Sequence, residues 1–296
     1  MMREKGILLL ILTACLLFVP VSGAASDVNV TGGAGSTVME ESLGATKTPM
    51  TLYTYRSESW QDGDPVVIVF HGMNRNAEAY RNSWIDTAEE KHLLIICPEF
   101  DRGKFPGTRY YHFADVLDRE GEDRSIQPRE EWTFPVVDHI IAGVRSGMHI
   151  GKSPVYLFAH SAGAQFLHRC VLLGDASEAD KIVIANAGWY TMPTTDTPFP
   201  YGLGGIDVSR EQLAAAFSKP VVILLGDRDV NRSKNLRQTP EADEQGMNRL
   251  ERGHRFFDTA RQTAQSLGVP FCWQIREIPG IGHNGAAMGL AAAELF

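Results

Sequence analysis

An α/β fold, a mostly parallel β-sheet flanked by helices on both faces, is what the sequence predicts, on three observations. Short runs of aliphatic and β-branched residues are apolar at every position: VVIVF at 66–70, LLII at 93–96, VYLF at 155–158, IVI at 182–184 and VVILL at 221–225. Continuous rather than alternating apolarity marks strands buried on both faces. The runs lie too far apart for hairpins, and helical patterns at 77–91, 134–148, 162–173 and 246–267 fall between them. That alternation implies right-handed crossovers. Finally, 296 residues with 44% hydrophobic and 22% charged content suit a globular chain, which a disordered composition does not.

Taken in order, the chain opens with Arg3 and Lys5, an apolar run over 6–19, and small residues Ser22-Gly23-Ala24. This is the order of parts in a secretory signal peptide, assigned to 1–24. The run is shorter than the roughly 20 residues that span a bilayer. Leu12-Thr13-Ala14-Cys15 resembles a lipobox, which would place a lipid anchor on Cys15, although 16–21 stay apolar where mature lipoproteins turn polar. The chain is thus expected to be exported, either free or as a membrane-anchored lipoprotein. Residues 25–48, rich in Gly, Ser and Thr, are expected as a flexible leader, and 49–296 as one catalytic domain. Cys97, Cys170 and Cys272 sit in apolar contexts and are expected to be buried. No CxxC spacing suggests a metal. A formal charge of −8 argues against nucleic-acid binding, which needs a basic face.

After the first strong strand comes His71-Gly72-Met73-Asn74, a turn whose glycine lets the backbone approach a substrate, with the Met73 amide free to act as an oxyanion donor. A strand predicted at 155–158 runs into Ala159-His160-Ser161-Ala162-Gly163 and then a helix. A serine at such a turn sits on strained backbone that lifts its hydroxyl above the sheet, and the Ala162 amide faces the reacting centre. The competing role for Ser161 is as a helix cap. The strand at 221–225 ends in Gly226-Asp227-Arg228-Asp229, where either carboxylate serves as acid or merely as turn residue. A last strand at 273–278 leads through Pro279-Gly280-Ile281-Gly282 to His283, a candidate general base, and a closing helix at 284–295. Three stretches fit no regular element, 100–129, 188–209 and 230–245. All three directly follow strands and are expected to wall the pocket. Trp189 and Tyr190 are candidate substrate-binding residues, with core packing as the competing role; Tyr110, Tyr111, Trp132 and Tyr201 are further aromatic candidates. His112 falls in the first of these segments, within reach of a substrate, while His160 is expected to point away from the nucleophile.

HGMNRNAEAY, AHSAG, GDRDVN and PGIGHN together resemble the α/β-hydrolase superfamily, and within it secreted esterases related to poly(3-hydroxyalkanoate) depolymerases and feruloyl esterases. The likeness spans 51–295. Ala159 departs from the usual glycine of the serine turn. The resemblance implies hydrolysis of a carboxylic ester through an acyl-enzyme, without metal or organic cofactor. It selects Asp229 over Asp227, giving Ser161, Asp229 and His283 in the order of that superfamily. No substrate-binding domain or threonine-rich linker is seen, which favours a small or soluble ester over a crystalline polymer. Two other functions compete: a serine peptidase or amidase on the same residues, and an inactive binding protein.

Overall fold

The computed structural model describes residues 26–296 apart from 122, 175 and 177; the expected signal segment and Cys15 lie outside the described residues. Eight strands form one sheet: β1 Gly33–Met39, β2 Met50–Arg56, β3 Val66–Phe70, β4 Leu94–Pro98, β5 Val155–His160, β6 Lys181–Ala185, β7 Val221–Gly226 and β8 Gln274–Ile278. Their spatial order is β1-β2-β4-β3-β5-β6-β7-β8. The β1–β2 and β2–β4 pairs are antiparallel, and every later pair is parallel. The α/β expectation holds.

Alternate residues of the fully buried strands feed two cores. Val66, Ile68 and Phe70 face one, Val67 and Val69 the other. Burying each such side chain contributes about 1.5–3 kcal/mol, so continuous apolarity is rewarded on both faces. The first face is covered by α4 Val136–Gly147, α5 Ala162–Leu173, α6 Arg210–Ser218 and α8 Arg249–Leu267, which supply residues such as Ile140, Phe166, Phe217 and Phe256. The second is covered by α1 Ala77–Asn82, α2 Ile85–Lys91 and α9 Gly285–Ala293, through Ala77, Ala88 and Met288. Two short helices, α3 Gly107–Tyr111 and α7 Pro240–Gln245, lie in the segments expected to be irregular.

Four differences from the sequence reading have physical causes. Residues 33–39 of the expected flexible leader form edge strand β1, in register with β2 from Gly33↔Arg56 to Met39↔Met50. Only Val38 and Met39 are large and apolar there, so hydrophobic patterning is silent. Backbone pairing holds the strand instead, helped by the Arg81 guanidinium, which donates to Gly35 O at 2.9 Å and Thr54 O at 2.5 Å. Upstream, Val28 is buried and donates its N–H to Gly143 O of α4 at 2.8 Å. A side chain at Gly143 would approach Ser26 O to 2.6 Å, so that glycine is what admits the segment. The single helix expected over 77–91 is two, interrupted at Ser83 and Trp84. The helix expected from 246 starts at Arg249, where Asn248 accepts from Glu251 N (3.0 Å) and donates to the Glu251 carboxylate (2.7 Å), a side-chain cap that fixes the start. Cys97 and Cys170 are buried, but Cys272 is exposed: as the chain enters β8 in extended form, Trp273 takes the inward position and Cys272 the outward one.

Candidate active site

Ser161 follows β5 and precedes α5 with φ 58° and ψ −112°, a conformation disfavoured for a residue with a Cβ. Neighbouring strands hold it there. Ser161 N–H donates to Ala185 O at 3.0 Å, and Gly163 N–H to His71 O at 3.0 Å. A Cβ on Gly163 would stand 2.6 Å from Phe70 O, so only glycine lets α5 come this close to β3. Ala159, paired with both Phe70 and Ile184, is fully buried; its one methyl is accommodated where the motif usually has glycine.

The loops after β7 and β8 bring two more groups to this point. His283 Nε2 lies 2.9 Å from Ser161 Oγ, and His283 Nδ1 lies 2.7 Å from Asp229 Oδ2. Asp229 N–H donates back to Gly226 O at 3.0 Å, which turns its side chain inward, where it is 2% exposed. Asp227 points elsewhere and accepts from Gly280 N–H at 2.7 Å, closing the turn that leads to His283. At Gly226 a Cβ would collide with the Ile281 carbonyl, so the acid and histidine loops touch backbone to backbone. Asn186, at φ 47° just past β6, clips them together: its Oδ1 accepts from Gly226 N–H at 2.9 Å and its Nδ2 donates to Gly282 O at 3.3 Å. Asparagine tolerates that backbone conformation better than most residues; this was the one signal in the sequence that could have flagged it.

The turn after β3 is pinned by His71, which is fully buried. Its Nδ1–H donates to Gly72 O at 2.9 Å and its Nε2 accepts from Phe100 N–H at 3.1 Å. Burial drives its pKa down to about 4, so the ring is neutral and structural. Met73, 44% exposed, stands at the mouth beside Ser161. Ala162 opens α5, and its N–H, in the first helical turn, has no intrahelical acceptor. Arg75, just past this turn, is buried: it donates to Phe100 O and Gly107 O and covers the Tyr111 ring at 4.4 Å.

No protein-family model and no curated sequence matches the chain. Among solved structures, the LpqC poly(3-hydroxybutyrate) depolymerase of Bordetella parapertussis is 34% identical, over 90% of this chain and 90% of its own, with a TM-score of 0.83. The chain belongs to this family of α/β-hydrolases. Poly(aspartic acid) hydrolase-1 of Sphingomonas sp. KT-1 is equally similar, 34% identical over 90% of this chain and 99% of its own, with a TM-score of 0.82. The fluorophosphonate-binding serine hydrolase F of Staphylococcus aureus, 14% identical over 89% of this chain and 97% of its own with a TM-score of 0.53, shares the fold. The chain is therefore a hydrolase.

In this α/β-hydrolase two cavities meet at Ser161. One, ≈ 380 Å³, holds His283 with Asn74, Asn76 and Tyr80; the other, ≈ 300 Å³, is lined by Ala162, His112, Trp189 and residues 234–237. All three long segments thus contribute walls or their supports. Trp189 lines the second cavity while being nearly buried and packed into the core as well, and His112, whose pKa burial lowers to about 3, lines it too. Tyr190 does not: it is fully buried, stacks on Phe256 at 4.4 Å between ring centroids, and is tied through its backbone to Gln245. Successive residues point to opposite sides here, so only one of the adjacent pair can face the cavity. Tyr111 and Trp132 also belong to the core.

Sequence reasoning missed two further groups. His160 does not point away: its ring lies 4.6 Å from that of His283, and its Nδ1 meets Tyr80 Oη at 2.8 Å. Burial lowers its pKa well below the usual histidine value, so an uncharged ring backs His283. Arg249, at the start of α8, is 4% exposed and reaches Asp229 Oδ1 at 3.4 Å. A lone arginine opening an amphipathic helix carries no such signal. Among the described residues no group of three or more His, Cys, Asp or Glu side chains is placed to hold a metal ion, and no helix is long and apolar enough to cross a membrane.

Proposed function

We propose that this hydrolase is an exported carboxylesterase that works through an acyl-enzyme, with Ser161 as nucleophile, His283 as general base and acid, and Asp229 as the carboxylate that orients the imidazole. The observation that carries the reading is the unbroken chain of hydrogen bonds from Ser161 Oγ through both ring nitrogens of His283 to Asp229. His283 Nε2 takes the serine proton as Oγ attacks the ester carbonyl. Asp229 keeps the proton of the neutral ring on Nδ1 and stabilises the imidazolium. The Met73 and Ala162 amides hold the oxyanion; losing one such donor typically costs about 2.7–4 kcal/mol of barrier. His283 then protonates the departing alcohol, and water repeats the sequence on the acyl-enzyme. No cofactor enters these steps. The substrate is a small-molecule or polymeric ester, and the depolymerase relative supports an ester bond as the target. Residues 1–24 direct export as a cleaved signal; the alternative is cleavage before Cys15, which would leave that residue as a lipid anchor.

A second reading, cleavage of an amide on the same residues, is favoured by the poly(aspartic acid) hydrolase relative, named for a polymer of amino acids. Paired 4-nitrophenyl esters and 4-nitroanilides separate the two: ester turnover well above anilide turnover is expected, and the reverse overturns the esterase assignment. In the same assay Ser161→Ala is expected to lower kcat by about 10⁵–10⁶-fold and to abolish labelling by a fluorophosphonate. Labelling that persists in the variant would remove Ser161 as nucleophile.

A further inference from the structure

The two cavities beside Ser161 differ in charge. His283 lines only the first. Since its Nε2 delivers the proton to the leaving alcohol, the alcohol portion of an ester must occupy that side. The acyl portion is then left with the second cavity, past Ala162 and Trp189. Lys234, Arg237 and Arg249 all line this second cavity, and among the described residues lining it there is no carboxylate.

These cations are poorly neutralised. Among the described residues neither Lys234 nor Arg237 has a carboxylate within ion-pair distance. Arg237 is held in place by aromatic rings instead, 5.0 Å from the Trp189 centroid and 5.4 Å from that of Tyr201, with Nε donating to Tyr201 Oη at 2.6 Å. Glu120 and Glu241 feel Arg237 only at longer range. Asp243 is engaged by Arg232 and Arg252. Arg249 shares its one partner, Asp229, with His283, and its buried Nε has no partner.

A fourth cation lies beneath the wall. Arg169 is fully buried under Trp189, 4.5 Å from the ring centroid. Its hydrogen bonds go only to neutral acceptors, Thr191 Oγ1, His112 O and Gln165 O, and its Nη2 has no partner. Burying a cation without an anion is costly. Here two guanidiniums lie against the Trp189 ring, and the cavity it lines gathers Lys234, Arg237 and Arg249 without a carboxylate although the chain as a whole is at −8.

We infer that the Trp189 cavity is a subsite for a carboxylate carried on the acyl portion of the ester, with Lys234 and Arg237 as its specificity-determining residues. The inference rests on the ester-hydrolase reading and sharpens it to esters of dicarboxylic acids or of oligomers ending in a free carboxyl. Cations that lack a carboxylate partner in the protein favour such a group over its uncharged equivalent.

The test compares 4-nitrophenyl half-esters of C4–C8 dicarboxylic acids with the same compounds methylated at the free carboxyl, on the full-length enzyme. For the best chain length, kcat/KM is expected to favour the half-ester by about 10-fold or more, a preference that shrinks with added salt. Lys234 is exposed, so Lys234→Gln leaves the fold intact; it is expected to cut the preference several-fold, and the Lys234→Gln/Arg237→Gln pair to abolish it. Arg237→Lys, which keeps the charge, is expected to retain more of the preference than Arg237→Gln. Equal or better turnover of the methylated ester by the wild type, or an undiminished preference in the double variant, overturns the subsite and leaves the esterase reading standing. Turnover of neither compound overturns both.

Discussion

The strand ends that carry Ser161 and Asp229 and the segments that wall the cleft belong to one site but are held by different means. The strand ends are fixed by main-chain contacts: Ser161 to Ala185, Gly163 to His71, Asp229 to Gly226, with glycines at 163 and 226 where backbones nearly touch. The walls are fixed by side chains. Trp189 packs against the guanidiniums of Arg169 and Arg237, and Arg252 donates to Gly188 O at 2.7 Å and Arg237 O at 3.0 Å. Main-chain support makes the reacting geometry almost independent of the residues around it. Side-chain support lets substrate preference change one residue at a time.

The contrast is sharpest within the acid loop. Asp229→Asn is expected to lower kcat by about 10⁴-fold, because the imidazole loses the partner that sets its tautomer. Asp227→Asn, which disturbs only the turn at Gly280, is expected to cost less than about 10-fold. Steady-state kinetics on a neutral ester measure both, and a crippled Asp227→Asn beside an active Asp229→Asn would reverse the assignment. His71 tests the floor by acid. Its folded pKa of about 4 lies below the unfolded value near 6.5. At pH above 6.5 the ring is neutral in both states; as pH falls from 6.5 to 4 only the unfolded chain takes up the proton. Stability is therefore lost across that window, by roughly 3 kcal/mol in full. Denaturation midpoints at pH 7 and 4.5 are expected to differ less in His71→Gln than in the wild type, and equal slopes would remove His71 from the account.

Gly163→Ala comes next. With Phe70 O only 2.6 Å from the new methyl, α5 must shift, and a displacement near 1 Å at the Ser161 hydroxyl is expected to cost about 10²-fold in kcat. A near-normal kcat would show that the turn yields more easily than its contacts suggest. The smallest effect belongs to the wall: Trp189→Ala is expected to change KM for long acyl chains by no more than about 10-fold while kcat on acetate esters holds. A kcat loss on acetate matching that of Gly163→Ala would erase the distinction between floor and wall.

What the sequence disclosed follows the same division. Strands buried on both faces, and the serine and histidine placed at their ends, are written locally, so Ser161 and His283 could be picked out as candidates directly. Asp227 and Asp229 could not be told apart by local chemistry, since both are turn carboxylates; the bond from Asp229 N–H to Gly226 O decides which one turns inward. Tyr190 and Trp189 are adjacent and chemically alike, and only the direction of the chain at 188–190 separates core from cavity. Strand β1 carries too few apolar residues to announce itself, and Arg249 reaches Asp229 from 20 positions away in the chain.

Asn186 joins Gly226 and Gly282 through one side-chain amide, and with the bonds from Arg228 N–H to Ile281 O (3.0 Å) and from Gly280 N–H to Asp227 (2.7 Å) it makes the loops bearing Asp229 and His283 one unit. If that unit loosens on warming before the parallel ladder of β3, β5 and β6 unpairs, both loops are freed together. Inactivation would then run ahead of melting, as one sharp transition, and an enzyme that has stopped turning over would still look folded to a spectrometer.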